Sequence, residues 1–406
     1  MNQIPILHLN LIQTLGLAAI IYSIGIFIRK KIPFLDRLNI PSVVIGGLLF
    51  ANINLFLRDR IINITFDTAI QQLLMIAFFT TIGMSASVPL LKKGGKQVIL
   101  FLFVSTIFCF IQNFIGIGVA NFFGVNPLLG VIAGSVTLVG GPATGLAFAP
   151  LFETAGVVGA STIAITAATF GIICGGIIGG PIGTRLISKY KLATKKDHLS
   201  KEAKEELDEH ESYFKVESEQ EDSSLLKTIL IIFVTMGVGS LVSNYFQSLS
   251  WTLPAYIGAM LIASVVRNFD DSTKILKINH KGMDIVGTIS LNIFLVVALM
   301  DLKLWELVHL ALPLAVILFF QAIVVALFVF FILYKIMGHD YDAAVISSGF
   351  IGFVLGTTAN AVANMKTIVA KYGASPKAFL IVPMVGAFFI DFTNAIIITF
   401  FLNLFK

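Results

Sequence analysis

AGSVTLVGGPATG (133–145) is too apolar to sit in water and too broken to cross a bilayer as one helix. Pro142 has no N–H to donate and interrupts helical bonding. The adjacent Gly140 and Gly141 let the backbone turn and come close to a neighbour. Backbone groups left unpaired at membrane depth survive only where protein packs them or a cavity is lined by them. A second stretch of the same kind, SSGFIGFVLGTTAN (347–360), sets Gly349 over Gly134 and Gly356 over Gly141, each at an offset of 215 residues.

The chain around these stretches is apolar. Of its 406 residues, 57% are hydrophobic and 13% charged, against roughly 25% charged in globular domains. So few charges cannot cover a water-facing surface, which excludes soluble enzymes, secreted disulfide scaffolds and disordered chains. The pI near 9.0 does not point to nucleic acid, because the basic residues stand at the ends of apolar runs, as at a membrane surface. Cys109 and Cys174 lie within apolar runs and read as small buried hydrophobes. The first fourteen residues hold no Lys or Arg, so the first run is expected to be a retained span rather than a signal peptide.

A span needs about 20 largely apolar residues. Ten runs meet or approach this: about 7–28, 41–57, 70–90, 97–123, 160–187, 225–248, 251–267, 284–303, 308–335 and 377–404. The stretches 127–151 and 342–366 fall short and are expected to dip into the membrane and return. MIAFFTTIGM (75–84) matches LNIFLVVALM (291–300), and Pro41 matches Pro254, at nearly the same offset as the broken stretches. Each half then has five spans, and an odd number makes the second half enter from the opposite face. The expected fold is an all-α polytopic membrane protein of about ten transmembrane helices, in two inverted five-helix repeats, each with a re-entrant hairpin loop. This is the architecture of secondary transporters. The repeats are 1–187 and 224–406. The charged segment 188–223 between them holds 11 of the 23 acidic residues and reads as a solvated cytoplasmic linker. With the ten spans alternating and both termini outside, 24 of the 28 Lys and Arg fall on the cytoplasmic side.

In such repeats the broken elements meet near the midplane, where half-helix N-termini attract anions and freed carbonyls coordinate cations. The candidate substrate-binding residues are therefore Gly140, Gly141, Thr144 and Gly145 in the first element, and Gly356, Thr357, Thr358 and Asn360 in the second. Asp391, in VGAFFIDFTNA (385–395), is the sharpest single residue. An intramembrane carboxylate is expensive, no Lys or Arg lies at its depth, and a bound cation or a proton is the natural partner. With Asn394, Asn364, Thr137 and Thr169, it forms the candidate set for a cation such as Na⁺. Gln112 and Gln321 read as hydrogen-bonding glue between helices. Thr162, Thr166 and Thr169 run along one side of the fifth span. Asp301, Lys303 and Glu306 read as a solvated rim. No nucleophile–base pair, nucleotide-binding loop or clustered histidine suggests an enzyme.

Seven blocks of this chain resemble the bacterial sodium/glutamate symporter family over essentially the full length. They are MIAFFTTIGM (75–84), QNFIGIGVANFFGVNPLLGVIAGSVTL (112–138), ATFGIICGGIIGGP (168–181), ALMDLKLWELVHLALP (298–313), KIMGHDYDAAV (335–345), AVANM (361–365) and FLIVPMVGAFFIDFTNA (379–395). The resemblance implies Na⁺-driven uptake of L-glutamate across the bacterial cytoplasmic membrane, no cofactor beyond Na⁺ as coupling ion, a homodimer in lipid, and elevator motion of a domain carrying both loops. The family's first loop usually reads like GGHGTG. Here it is GGPATG, with Pro142 and Ala143 in place of a His-Gly pair. Its second loop, like GFGLGATPTAIANM, appears as GFVLGTTANAVANM, with Val354 for a Gly. Another small carboxylate or amino acid is the alternative cargo, and a passive anion channel the alternative class. Without that His, activity is expected to depend less on pH between 6 and 8 than in relatives that carry it.

Overall fold

The computed structural model describes residues 4–93, 95–192, 221–248, 254–307 and 309–405. Most of the expected linker, 188–223, lies outside them. Ten helical elements follow the ten apolar runs: α1 (Leu11–Lys31), α2 (Ser42–Leu57), α3 (Ala69–Ser85), α4 (Gly95–Phe122), α5 (Ala160–Tyr190), α6 (Glu221–Ser248), α7 (Ala255–Thr273), α8 (His280–Met300), α9 (Ala311–Ile336) and α10, built of Pro376–Met384, a π turn Val385–Phe389 and Ile390–Leu404. Six of these, α1, α4, α5, α6, α8 and α9, are long and apolar enough to cross a membrane. The helices α2 and α3 are shorter, at 16 and 17 residues. The last turns of α7 carry Arg267, Asp270 and Asp271.

Local chemistry sets the ends of these helices. Asn10 and Gln13 form a reciprocal capping box at the start of α1, and Arg29, Lys30 and Lys31 fill its last turn, where cations suit the helix dipole. Pro41 and Pro254, matched in the sequence, cap α2 and α7 in nearly the same backbone conformation, ψ 140° and 144°. The first apolar run starts differently from expectation. Ile6–Leu9 form a strand paired in parallel with Asn63–Phe66, and only at the Asn10 cap does the chain become helical. The third run ends earlier than expected, at Ser85. There Asn268 accepts from Val88 N at 2.8 Å and Ser87 donates to Asp271, pinning a turn to α7.

The helices pack in two groups. In one, α3 lies against α7 and α8, α1 against α2, α2 against α8, and α6 against α7. In the other, α9 lies against α4 and α5, with α10 beside α4. The core of the second group is aromatic. Phe108, Phe328 and Phe350 stack or meet edge-on within 6 Å of one another, and Phe101 joins Phe350 at 5.7 Å. Tyr256 of α7, fully buried, bridges the groups by stacking on Phe79 at 3.9 Å and meeting Phe148 edge-on.

Candidate functional site where two hairpins meet

Between α4 and α5 the chain makes a helical hairpin. Its first arm, Pro127–Val136, is started by Asn126, whose side chain accepts from Leu128 N. Its second arm is Gly141–Thr154. The arms are antiparallel: Thr137 lies against Gly145, and Asn126 donates to Ala155 O. Between α9 and α10 a second hairpin has arms Tyr341–Leu355 and Thr358–Tyr372. Here Ser348 pairs with Asn364, and Gly349 with Met365. Asp340 caps its first arm as Asn126 caps the first arm of the other hairpin.

The two hairpins approach α5 from its opposite ends. The first packs Gly145 on Ala164, near the start of α5, and the second packs Ser348 on Gly179 and Ile368 on Gly183, toward its end. Their tips meet at Gly171, in the middle of this 31-residue helix. A Cβ on Gly171 would run into both the Leu355 carbonyl oxygen and the Leu138 side chain. The turn of the first hairpin needs a left-handed residue, supplied by Gly141 at φ +67°. Both returning arms begin at these tips, so the N-termini of Gly141–Thr154 and Thr358–Tyr372 lie at the meeting point. Pro142 occupies the first turn of its arm, where a missing N–H does no harm. Helix N-termini favour an anion.

The candidate residues of the second hairpin mostly fasten it. Thr357 caps the returning arm and donates to Asn360 Oδ1 at 2.9 Å. Asn360 Nδ2 donates to Ile172 O at 2.7 Å, and Asn364 Nδ2 to Gly175 O at 2.9 Å. Ser348 Oγ donates to Gly179 O at 2.9 Å. These three carbonyls lie three and four residues apart, on one face of α5. Thr358 sits against Gly386 of α10, and Gly356 comes near Gly141 of the other tip.

The first hairpin is fastened differently. Gly134 leaves helical geometry at φ −105°, ψ −129°, which frees the backbone of Ser135. Asn113 Oδ1 of α4 accepts from Ser135 N at 2.9 Å, and Asn394 Nδ2 of α10 donates to Ser135 O at 2.9 Å. Gln112 reaches the other hairpin, donating to Val354 O at 2.9 Å, while its own carbonyl accepts from Gln321 at 2.7 Å. Asn113, Ser135, Asn394, Gln112 and Gln321 are all fully buried. Each retains a polar atom with no partner: Asn113 Nδ2, Ser135 Oγ, Asn394 Oδ1, Gln112 Oε1 and Gln321 Oε1. Thr137 donates to Ile132 O, and Thr169 Oγ1 is buried without a partner.

Asp391 is partly buried one turn before Asn394 and, among the described residues, makes no hydrogen bond or ion pair. Its neighbours Phe392 and Thr393 line a cavity of about 190 Å³ with Gly83, Met260 and Ser264, between the two helix groups. The sequence reading missed Asn113 and Ser135. Two signals were present: an Asn adjoining Gln112 at membrane depth, and a hydroxyl beside the breaking Gly134.

The rim residues stand apart from this centre. Lys303 Nζ lies 3.9 Å from Glu306, Glu306 packs near Gly159, and Thr162 donates to Lys303 O at the start of α5. Thr166 bonds back to Thr162 O.

Comparison with known proteins gives the family. The profile of the sodium/glutamate symporter family matches residues 7–374. A sodium/glutamate symporter of Haemophilus influenzae is 40% identical over 386 residues, covering 94% of this chain and 95% of the relative. One of Escherichia coli is 38% identical over 401 residues, covering 98% of each. The chain belongs to the sodium/glutamate symporter family.

Proposed function

We propose that the chain is a secondary active transporter, not an enzyme, that couples L-glutamate uptake to Na⁺ across the bacterial cytoplasmic membrane. The observation that carries this reading is the meeting of two hairpin tips halfway along α5, with two helix N-termini and several unpaired polar atoms in a buried centre. The family and its named relatives supply the cargo and the ion.

In this reading the hairpins are re-entrant loops of two inverted five-helix repeats, 1–187 and 224–406, joined by a cytoplasmic linker at 188–223. Both termini face outside. The pairing of Ile6–Leu9 with Asn63–Phe66 supports the alternation, since it needs the N-terminus and the α2–α3 connection on one side. The group formed by α4, α5, α9, α10 and both hairpins is the moving body, and the group of α1–α3 and α6–α8 the fixed one, which forms a homodimer in lipid.

The glutamate carboxylates sit at the tips, against the N-termini of Gly141–Thr154 and Thr358–Tyr372, with Thr144, Thr357 and Thr358 beside them. Na⁺ sits on the α10 side and balances Asp391, so substrate binds well only when the ion is present. Linkage makes this reciprocal: glutamate must tighten Na⁺ by the factor by which Na⁺ tightens glutamate. Equilibrium binding of labelled L-glutamate to purified protein tests the reading. Binding is expected to need Na⁺, to be lost when choline replaces Na⁺, and to be displaced by unlabelled glutamate ahead of other small acids. Binding indifferent to Na⁺ would refute the coupling, and preferential displacement by another carboxylate would change the cargo.

A further inference from the structure

We infer that the coupling Na⁺ is held where the broken arm of the first hairpin passes between α4 and α10, on Ser135 Oγ and Asn394 Oδ1, with Asp391 as counter-charge and Asn113 as positioning residue. This rests on the coupled transport proposed above and assigns its ion site.

The argument starts from what is left over. Buried polar atoms in folded proteins are nearly always paired, and an unpaired one at membrane depth costs several kcal/mol. Here three stand at one break in one helix, Ser135 Oγ, Asn394 Oδ1 and Asn113 Nδ2, and two more, Gln112 Oε1 and Gln321 Oε1, belong to side chains of α4 and α9. Four of the five are oxygens; Asn113 Nδ2 is a donor, and the Ser135 hydroxyl can donate as well as accept. A set this rich in oxygen suits a hard cation, which takes hydroxyl, amide and carboxylate oxygens. Among the described residues, Asp391 lacks both a hydrogen bond and an ion pair, and it stands one turn from Asn394 on α10.

The two asparagines divide the work. Asn113 accepts from Ser135 N, fixing where the hydroxyl stands. Asn394 holds Ser135 O with its amide nitrogen, which turns its own oxygen to the free side. An ion bound there ties α10 to the first hairpin five residues before Gly140 opens the tip. Ion binding therefore orders the anion site through a single short stretch of chain.

The test uses full-length purified protein without glutamate. The thermal unfolding midpoint is followed as Na⁺ replaces choline at constant ionic strength. A ligand that binds only the folded state raises the midpoint in a saturable way. For Ser135→Ala the Na⁺ concentration giving half the rise is expected to increase about tenfold or more, with the midpoint in choline near that of the parent. Ser105→Ala removes a buried hydroxyl of α4 that is already donated to Phe101 O, and is expected to leave the Na⁺ dependence unchanged. Asn394→Asp keeps the oxygen and adds a charge, so its half-saturating Na⁺ should fall as pH rises from 6 to 8. That variant decides the matter if Ser135→Ala does not fold. An unchanged Na⁺ dependence in Ser135→Ala, or in Asn394→Asp across that pH range, would overturn the site. If the parent still accumulates glutamate on a Na⁺ gradient, the transport reading survives that result. If the parent shows neither Na⁺ stabilisation nor Na⁺-driven uptake, both fail together.

Discussion

The two hairpins share a plan and differ in what their polar groups do. In the second, Ser348, Asn360 and Asn364 each donate to a carbonyl on one face of α5, and Thr357 caps the returning arm. Its polar side chains are largely committed to holding it in place. In the first, the arm breaks at Gly134, and neighbours from α4 and α10 satisfy the freed backbone of Ser135 while the side-chain oxygens stay unpaired. The second hairpin, whose buried polar side chains are bonded apart from Ser347 Oγ, is an anchor, and the break in the first is where an ion could change the energy. The same sequence device, a glycine-rich interruption in an apolar run, thus yields a bonded arm in one half and, in the other, the break at which the ion site is proposed.

The sharpest way to break this contrast is at Asp391. Asp391→Asn removes the counter-charge proposed for the cation, and Na⁺-coupled glutamate uptake is expected to be abolished while the protein still inserts in the membrane. Normal Na⁺-driven uptake in that variant would remove Asp391 from the mechanism. Next comes the meeting of the tips. Gly171→Ala places a methyl group against the Leu355 carbonyl and Leu138. Overpacking of this kind costs about 1–3 kcal/mol, so a lower unfolding midpoint together with slowed uptake is expected, and an unaltered protein would show that the tips do not press on α5.

The anchor itself is tested by Asn364→Leu. It leaves the Gly175 carbonyl without its side-chain donor and should lower stability by about 1–3 kcal/mol in a denaturant or thermal titration. Its Na⁺ half-saturation should stay near that of the parent, the reverse of what is expected for Ser135→Ala. If both variants shift stability alone, the two hairpins are alike and the contrast falls. The smallest effect concerns the tip. Pro142→His puts an imidazole, which titrates near pH 6.5, into the first turn of Gly141–Thr154. Uptake is expected to become more pH-dependent between pH 6 and 8 than that of the parent. A parent whose uptake already varies steeply over that range would contradict the reading of Pro142.

Much of this was legible in the sequence. The ten apolar runs became ten helical elements because membrane-length hydrophobicity is a strong local signal, and the broken stretches were visible from Gly134, Gly141, Pro142, Gly349 and Gly356. Asp391 stood out because a carboxylate in an apolar run has few explanations. Pairings between distant elements were harder to read. Strand Ile6–Leu9 forms only because residues 63–66 lie beside it, and nothing local marks it. Asn360 and Asn364 looked free to bind a ligand, since the carbonyls of α5 that occupy them are almost 190 residues away. Ser135 and Asn113 were missed for the converse reason. A serine and an asparagine in apolar helices look like glue until their unpaired atoms are seen to face one break.

The most direct test of the whole account is accumulation of labelled L-glutamate in proteoliposomes at fixed pH, with and without an inward Na⁺ gradient. Accumulation above the external concentration that collapses when the gradient is removed is the predicted result. Equilibration without accumulation, equal with and without the gradient, would describe a passive pathway and contradict coupling at the hairpin tips.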